Sequence, residues 1–424
     1  MRQFHCFCYN NDLMGQHSFS IDRVGTPGGE AWLIRGKRSA VLVDTGFLFY
    51  AQTMAAELKG LLEGIPLSAV LVTHSHYDHA GGLAKIKEAF PDAITVAAAH
   101  TARILKREGA LKAMRALNRK AAEMTGFITA DSGAGVGMAN ADLGVGLADS
   151  GAGVGMANAD FGAAANVDLG VGVGVAEMTG FITADSGAGV GVANADAGAT
   201  SAAANVDVAG AGVDVADEDV GGYEIDLVAG EGDTIQTADF VIEVWETHGH
   251  TNDSLSFVFQ NEGLIALSET TGIFLKQSKQ LGQPWQPGRL KQPEQPWQSE
   301  QPRQPELFAE PAFIVSWKAA LAALDRIEKV KPNTLIFPHT GVLAGDDIPV
   351  FLRKQREEIL FMKDLILRLA ADGKTEDEIL VALTSRYYDR RLQAQKVFQP
   401  VGALMLNLKA MIPRVLKYGA KNEM

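Results

Sequence analysis

Cysteine is nearly absent: Cys6 and Cys8 are the only two in 424 residues, and side chains two apart on a strand point the same way, without the geometry of a bridge. A disulfide framework is thereby excluded, and a reducing, cytoplasmic setting is expected. Long apolar runs are missing as well. No window approaches the roughly 18 unbroken apolar residues of a membrane span, and the opening MRQFHCFCYNND lacks the apolar stretch of a signal peptide. Basic residues are absent from Ala121 to Gly222, a stretch that carries fourteen acids. It accounts for the formal charge of −13, and the rest of the chain is nearly neutral. Neither part offers the Lys/Arg-rich face that a phosphate backbone requires. Neither a membrane nor a nucleic acid is therefore expected as a partner, and a small-molecule substrate is.

The segment without Lys or Arg also lacks proline and is built from repeats. DSGAGVGMANAD begins at Asp131 and Asp149 and returns as DSGAGVGVANAD at Asp185, while EMTGFITADSGAGVG begins at both Glu123 and Glu177. The separations are multiples of 18 residues. A composition of Gly, Ala, Val, Asn and Asp with three Phe has too little apolar bulk to offset the entropy of ordering the backbone. It is read as a disordered acidic insertion, 121–222. A calcium-binding β-solenoid is the competing reading, but GAGVGMANAD has Ala or Val where the metal-binding loop of such repeats has Asp. A second insertion, 276–306, repeats QPWQ and is rich in proline and glutamine, the chemistry of an extended linker.

Setting these aside leaves a discontinuous domain, 1–120 with 223–275 and 307–424, of which 347–424 reads as a helical cap. Short apolar runs predict strands at Ala31–Ile34, Ala40–Val43, Ala69–Thr73, Ile94–Ala97, Phe240–Trp245, Leu255–Phe259, Leu264–Leu267 and Thr334–Phe337. Helical periodicity lies between them, at Gln52–Leu62, Leu83–Ala89, Thr101–Arg119 and Trp317–Val330, the last with Ser316 as N-cap. Beyond Asp347 the pattern is helical throughout: Val350–Ala371, Thr375–Tyr388 with a TEDE capping box, and Val401–Tyr418 interrupted at Pro413. Strands alternating with helices define an α/β protein.

Three of the nine histidines fall within six positions, in AVLVTHSHYDHAGG, where an apolar strand delivers His74, His76, Asp78 and His79 into a glycine-ended loop. Imidazoles two apart project to one side of an extended segment, and the adjacent Asp78 and His79 can turn toward a second point nearby. Two neighbouring divalent metals could be held in this way. His250, Glu269 and His339 each closely follow another apolar strand, as they should if one sheet edge presents every ligand to a common cleft.

HSHYDH resembles the HxHxDH signature of the metallo-β-lactamase fold hydrolases, and further motifs of that family follow in order: VDTG at Val43–Gly46, ETHGHTNDSLSF from Glu246, and TLIFPHTG ending at Gly341. The resemblance implies a four-layer αββα sandwich with a C-terminal helical extension. It implies two divalent ions, zinc first, with iron or manganese as alternatives, one on His74, His76 and His250 and the other on Asp78, His79 and His339. Asp44 and Thr73 would stand behind these ligands. His248 occupies a position where the family usually has Pro, and it is read as packing or as a substrate contact. Glu269 stands where the family usually has an Asp bridging both metals. One methylene longer, it would bridge with shifted geometry, bind one metal, or leave the second site weak.

The function implied is hydrolysis of a small-molecule thioester, ester or lactone, or phosphodiester by hydroxide shared between the metals, with Asp78 orienting the water. The helical C-terminus is similar to that of the quinolone-signal thioesterases of this family. The alternatives are a metal-retaining binding or regulatory protein and an RNA-processing nuclease, for which no basic exosite is visible. A flavodiiron oxidoreductase would show Glu in place of His76.

Overall fold

The computed structural model describes residues 19–125, 127, 223–276, 307–393 and 401–419. The repeats from Asp131 onward, the Pro/Gln-rich stretch 277–306 and both cysteines lie outside the described residues. The chain divides into two units, residues 1–114 with 220–424, and residues 115–219. Of the second, the described residues are the end of one helix together with Thr125 and Phe127.

The first unit contains two six-stranded sheets. One runs in chain order through β1 (Ser20–Thr26), β2 (Gly29–Arg35), β3 (Ala40–Val43), β4 (Leu67–Leu71), β5 (Ile94–Ala97) and β6 (Leu227–Val228). The other comprises β7 (Thr234–Gln236), β8 (Val241–Glu246), β9 (Leu255–Phe259), β10 (Leu264–Ala266), β13 (Thr334–Phe337) and β14 (Gly341–Ala344), in the order β14-β13-β10-β9-β8-β7. β11 (Ile273–Lys276) and β12 (Leu307–Glu310) form a separate antiparallel pair.

Strand periodicity sorts the apolar side chains into layers, because alternate residues face opposite sides of a sheet. Trp32 and Ile34, Val41 and Val43, and Ala69 and Leu71 pack against Ile242, Val244, Phe257, Phe259 and Ala266 between the sheets. The alternate residues Leu33, Leu42 and Val70 face outward onto Met54 and Leu58 of α1 (Ala51–Leu62) and, beyond the single turn α2 (Tyr77–Ala80), onto Leu83 and Ile86 of α3 (Leu83–Ala89). On the far side, Val258, Ile265, Leu335 and Phe337 meet Leu324 and Ile327 of α6 (Trp317–Val330) and Phe351 and Ile359 of α7 (Asp347–Ala371). Each fully buried Leu, Ile or Phe contributes about 1.5–3 kcal/mol. The outcome is the expected αββα sandwich. α8 (Glu376–Gln393) and α9 (Val401–Tyr418) extend the same outer core through Leu383, Tyr387, Leu408 and Met411.

Ser316 caps α6, its side chain accepting from the amide of Ala319. The TEDE box is reciprocal: Thr375 Oγ1 accepts from the Glu378 amide while the Glu378 carboxylate accepts from the Thr375 amide. Two helical expectations are corrected. Thr101–Arg119 is broken into α4 (Ala99–Ile104) and α5 (Glu108–Met124). The amides of Lys106 and Arg107 bond three residues back, to Arg103 and Ile104, tightening the chain at the fully buried Leu105. Pro413, expected to interrupt the last helix, lies inside α9. The burial of Leu408, Met411, Ile412 and Val415 around it offsets the lost hydrogen bond.

Candidate metal centre

The topology brings the site together. β3 and β4 are parallel, so VDTG after the first and THSHYDH after the second emerge at the same edge. In the second sheet β9 is antiparallel to both β8 and β10, and β10 is parallel to β13. The segments bearing His250, Glu269 and His339 therefore also leave their strands at one edge. The expectation of a single presenting sheet is corrected: two sheets contribute, and their interlayer packing aligns the edges. Cross-sheet bonds hold them there, from the Leu255 amide to the Thr73 carbonyl (2.8 Å) and from Trp32 Nε1 to the Pro338 carbonyl (3.2 Å).

Asp44 is the hinge of the first half. It adopts a left-handed φ of 63°, which aspartate tolerates better than most residues, and this turns its carboxylate under the histidine loop. Oδ1 accepts from the Thr73 amide (2.8 Å), and Oδ2 accepts from His79 Nδ1 (2.9 Å). The Thr73 hydroxyl donates to Asp44 and lies 3.0 Å from His74 Nδ1. Gly46, at φ 60°, comes two residues later; a side chain there would run into the Gly29 carbonyl. Thr45 ties the two loops further, its amide and hydroxyl both donating to the His79 carbonyl.

The second sheet supplies equivalent restraints. The Gly249 carbonyl accepts from the amides of Ile314, Val315 and Ser316, and the Ala312 carbonyl lies 2.5 Å from His250 Nδ1. His339 Nδ1 lies 3.3 Å from Glu30 Oε2. Glu269 opens a 3-10 turn, Glu269–Thr271, capped by Ser268.

With their Nδ1 atoms occupied, the imidazoles of His74, His79, His250 and His339 direct Nε2 inward. Ligand atoms of His74, His76, His250 and Glu269 lie within 4.8 Å of one another, as do those of Asp78, His79 and His339. Glu269 spans the two groups: Oε2 is 2.7 Å from His250 Nε2 and 3.8 Å from His74 and His79 Nε2, and Oε1 is 3.2 Å from His339 Nε2. His248 stands apart, half-exposed beside Glu246.

The residues fit divalent ions. Nε2 of His74, His79 and His339 and Oδ1 of Asp78 are buried without a hydrogen-bond partner, a cost of about 1–3 kcal/mol each unless something occupies them. The donor set, nitrogen with carboxylate oxygen, suits zinc, iron or manganese. Burial, followed by the neighbouring His79, His76 and His250, holds His74 well below the ordinary imidazole range, and burial and His250 push His76 down to about 4. Neutral imidazole is the ligating form. Burial alone would lower His79 and His339, but Asp78 and Asp44 raise the first, and Glu269, Glu30 and Asp78 raise the second well above its usual value. Burial raises Glu269, yet His250 and His339 outweigh it and hold the carboxyl well below the carboxylate range. The carboxylates that favour positive charge on His79 and His339 supply the field a dication needs.

Three supporting groups were not legible in the sequence. The Ala312 carbonyl has no side-chain signature. Glu30 is an acid inside an apolar strand. Buried Asp253 accepts from the Ser75 amide (3.1 Å) and the Thr101 hydroxyl (2.8 Å), binding the histidine loop to the segment after β8. Burial raises this carboxyl, but hydrogen bonds from Thr251, Ser75 and Thr101 bring it below its usual value.

A fold of two packed sheets that direct five histidines and two carboxylates to one edge defines a metal-binding α/β protein. The sequence profile of the metallo-β-lactamase superfamily matches residues 24–339, and the chain belongs to that superfamily, which includes metal-dependent hydrolases. Solved structures similar to it include the stereoselective inverting sec-alkylsulfatase Pisa1 from Pseudomonas sp., at 16% identity over 96% of this chain and 50% of that one, with a TM-score of 0.48. The chain thus spans about half the length of the alkylsulfatase. A metallo-β-lactamase family protein from Thermus thermophilus matches at 15% identity over 95% of this chain and 93% of its own, with a TM-score of 0.45. An archaeal superfamily protein from Sulfolobus tokodaii matches at 12% identity over 81% and 85%, with a TM-score of 0.36. A search among curated protein sequences finds no match. No described helix is long and apolar enough to cross a membrane.

Proposed function

We propose that the chain is a dinuclear metal-dependent hydrolase acting on a small-molecule thioester, ester, lactone or phosphodiester. The observation that carries this reading is the convergence of buried Nε2 atoms from His74, His79 and His339, none of them in a well-formed hydrogen bond, around a carboxylate, Glu269, that reaches both ligand groups. His74, His76 and His250 would hold one ion and Asp78, His79 and His339 the other, with Glu269 between them. When bound, such ions acidify water and polarise a substrate carbonyl or phosphoryl oxygen.

The chain's own residues prepare the geometry. Asp44, Thr73, Glu30 and the Ala312 carbonyl engage the Nδ1 atoms, which fixes both tautomer and ring orientation. Asp78 Oδ2 faces His79 and His339, at 3.9 and 3.8 Å, so the Asp78 carboxylate would hold an ion with them and orient the attacking water. His76 and Asp78 are less buried than the other ligands, so substrate enters on their side.

The test is hydrolysis of a thioester, ester, lactone and phosphodiester panel by the purified full chain, with and without a chelator. Turnover of at least one class, lost on chelation and regained on adding zinc, iron or manganese, is expected. A chain that retains two metals yet turns over none of the panel would instead be a binding or regulatory protein.

A further inference from the structure

Glu30 is 1% exposed, and burying a carboxylate costs several kcal/mol unless its partners compensate. Its partners are the Gly28 amide and His339 Nδ1, at 2.9 and 3.3 Å from Oε2, and the Arg23 guanidinium, 3.2 Å from Oε1. Two of these belong to the β1–β2 hairpin. Arg23 is 42% exposed, and balancing its charge would not require a buried acid. His339 is the partner that shares the burial, and it comes from the other sheet.

The four inward-facing imidazoles differ in the group that stands behind each of them. His74 is backed by the Thr73 hydroxyl and His250 by the Ala312 carbonyl, both neutral groups. His79 is backed by Asp44 and His339 by Glu30, both carboxylates. The neutral backings belong to one ligand group and the carboxylate backings to the other. A carboxylate behind an imidazole raises its basicity as a ligand, so the two sites differ in kind.

We propose that Glu30 is a positioning residue of the Asp78–His79–His339 site, fixing His339 with Nε2 inward and setting that site's metal affinity independently of its neighbour. The proposal rests on the two-metal reading above. Its test is stepwise zinc titration of the metal-free full chain against a chromogenic chelator, resolving two affinities, with thermal melting recorded alongside. Glu30→Gln, which keeps the size of the side chain and an acceptor oxygen, should weaken one affinity about 10- to 100-fold and leave the other unchanged. In a His339→Ala background the same substitution should produce no further loss. Arg23→Ala should leave both affinities as they are. If Glu30→Gln does not fold, Glu30→Asp, whose carboxylate is drawn back from His339, should produce the same one-sided weakening.

Two unchanged affinities with a lower melting temperature would make Glu30 a hairpin residue and overturn the proposal, as would equal weakening of both sites by Glu30→Gln and Arg23→Ala. A wild-type chain that binds no zinc would overturn the two-metal reading as well. A wild-type chain and a Glu30→Gln variant that bind two ions equally well would overturn the proposal alone.

Discussion

Asp44 Oδ2 lies 2.9 Å from His79 Nδ1, joining the ends of two adjacent parallel strands through one buried bond. The same carboxylate holds the Thr73 amide and hydroxyl, so it orients His79 directly and His74 through Thr73. Asp44→Asn, which tolerates the left-handed backbone, should fold normally and lose about 10- to 100-fold in metal affinity. Chelator competition measures this, and an unchanged affinity would remove Asp44 from the metal-site network.

Glu269 reaches both ligand groups by placing one oxygen by His250 and the other by His339. Glu269→Ala should lower the metal content from two per chain toward one. Glu269→Asp pulls the carboxylate back by one bond and should retain one ion tightly and the second weakly. Elemental analysis after dialysis reads both, and full occupancy in Glu269→Ala would place the residue outside the coordination sphere.

Gly249 has a φ of 153°, and a Cβ added there would lie 2.6 Å from Thr270 Cγ2 and 3.3 Å from the Ser316 carbonyl. Gly249→Ala should therefore cost about 1–3 kcal/mol and shift His250, weakening the site it shares with His74 and His76. Urea denaturation combined with metal titration checks both effects. A variant with wild-type stability would show that the segment after β8 relaxes freely.

The outer core contains a buried ion pair: Arg391 Nε donates to Glu310 Oε2 at 2.9 Å and Nη2 bonds to Oε1, with both residues under 5% exposed. Arg391→Ala leaves a buried carboxylate without its cation and should cost about 3–5 kcal/mol, whereas Glu310→Leu combined with Arg391→Met should cost far less. Urea midpoints decide. Equal losses in the two variants would mean that packing, not charge, dominates at this position.

The histidine cluster and its scaffold were legible because they obey short-range rules. The short apolar runs AWLI and AVLV identify strands, and His74, His250, Glu269 and His339 each stand just beyond another such run. β1, β6, β7, β11, β12 and β14 escaped because they are short or carry mixed residues, and tertiary pairing, not local pattern, makes them strands. Glu30, Asp253 and the Ala312 carbonyl escaped for another reason. Their contacts reach across 309, 178 and 62 residues, and no spacing in the chain announces them. The same limit produced the single-sheet expectation, since the sequence orders the ligand strands but does not assign them to layers.

In the proposed centre two ions share one carboxylate, that of Glu269, at the joined edges of the two sheets. Metal content per chain, measured by elemental analysis after loading with zinc and removing the excess, tests it most directly. Two ions per wild-type chain are predicted, falling to one or fewer in both His74→Ala and His339→Ala. A wild-type chain that retains no zinc, or a His74→Ala variant that keeps two ions, would contradict it.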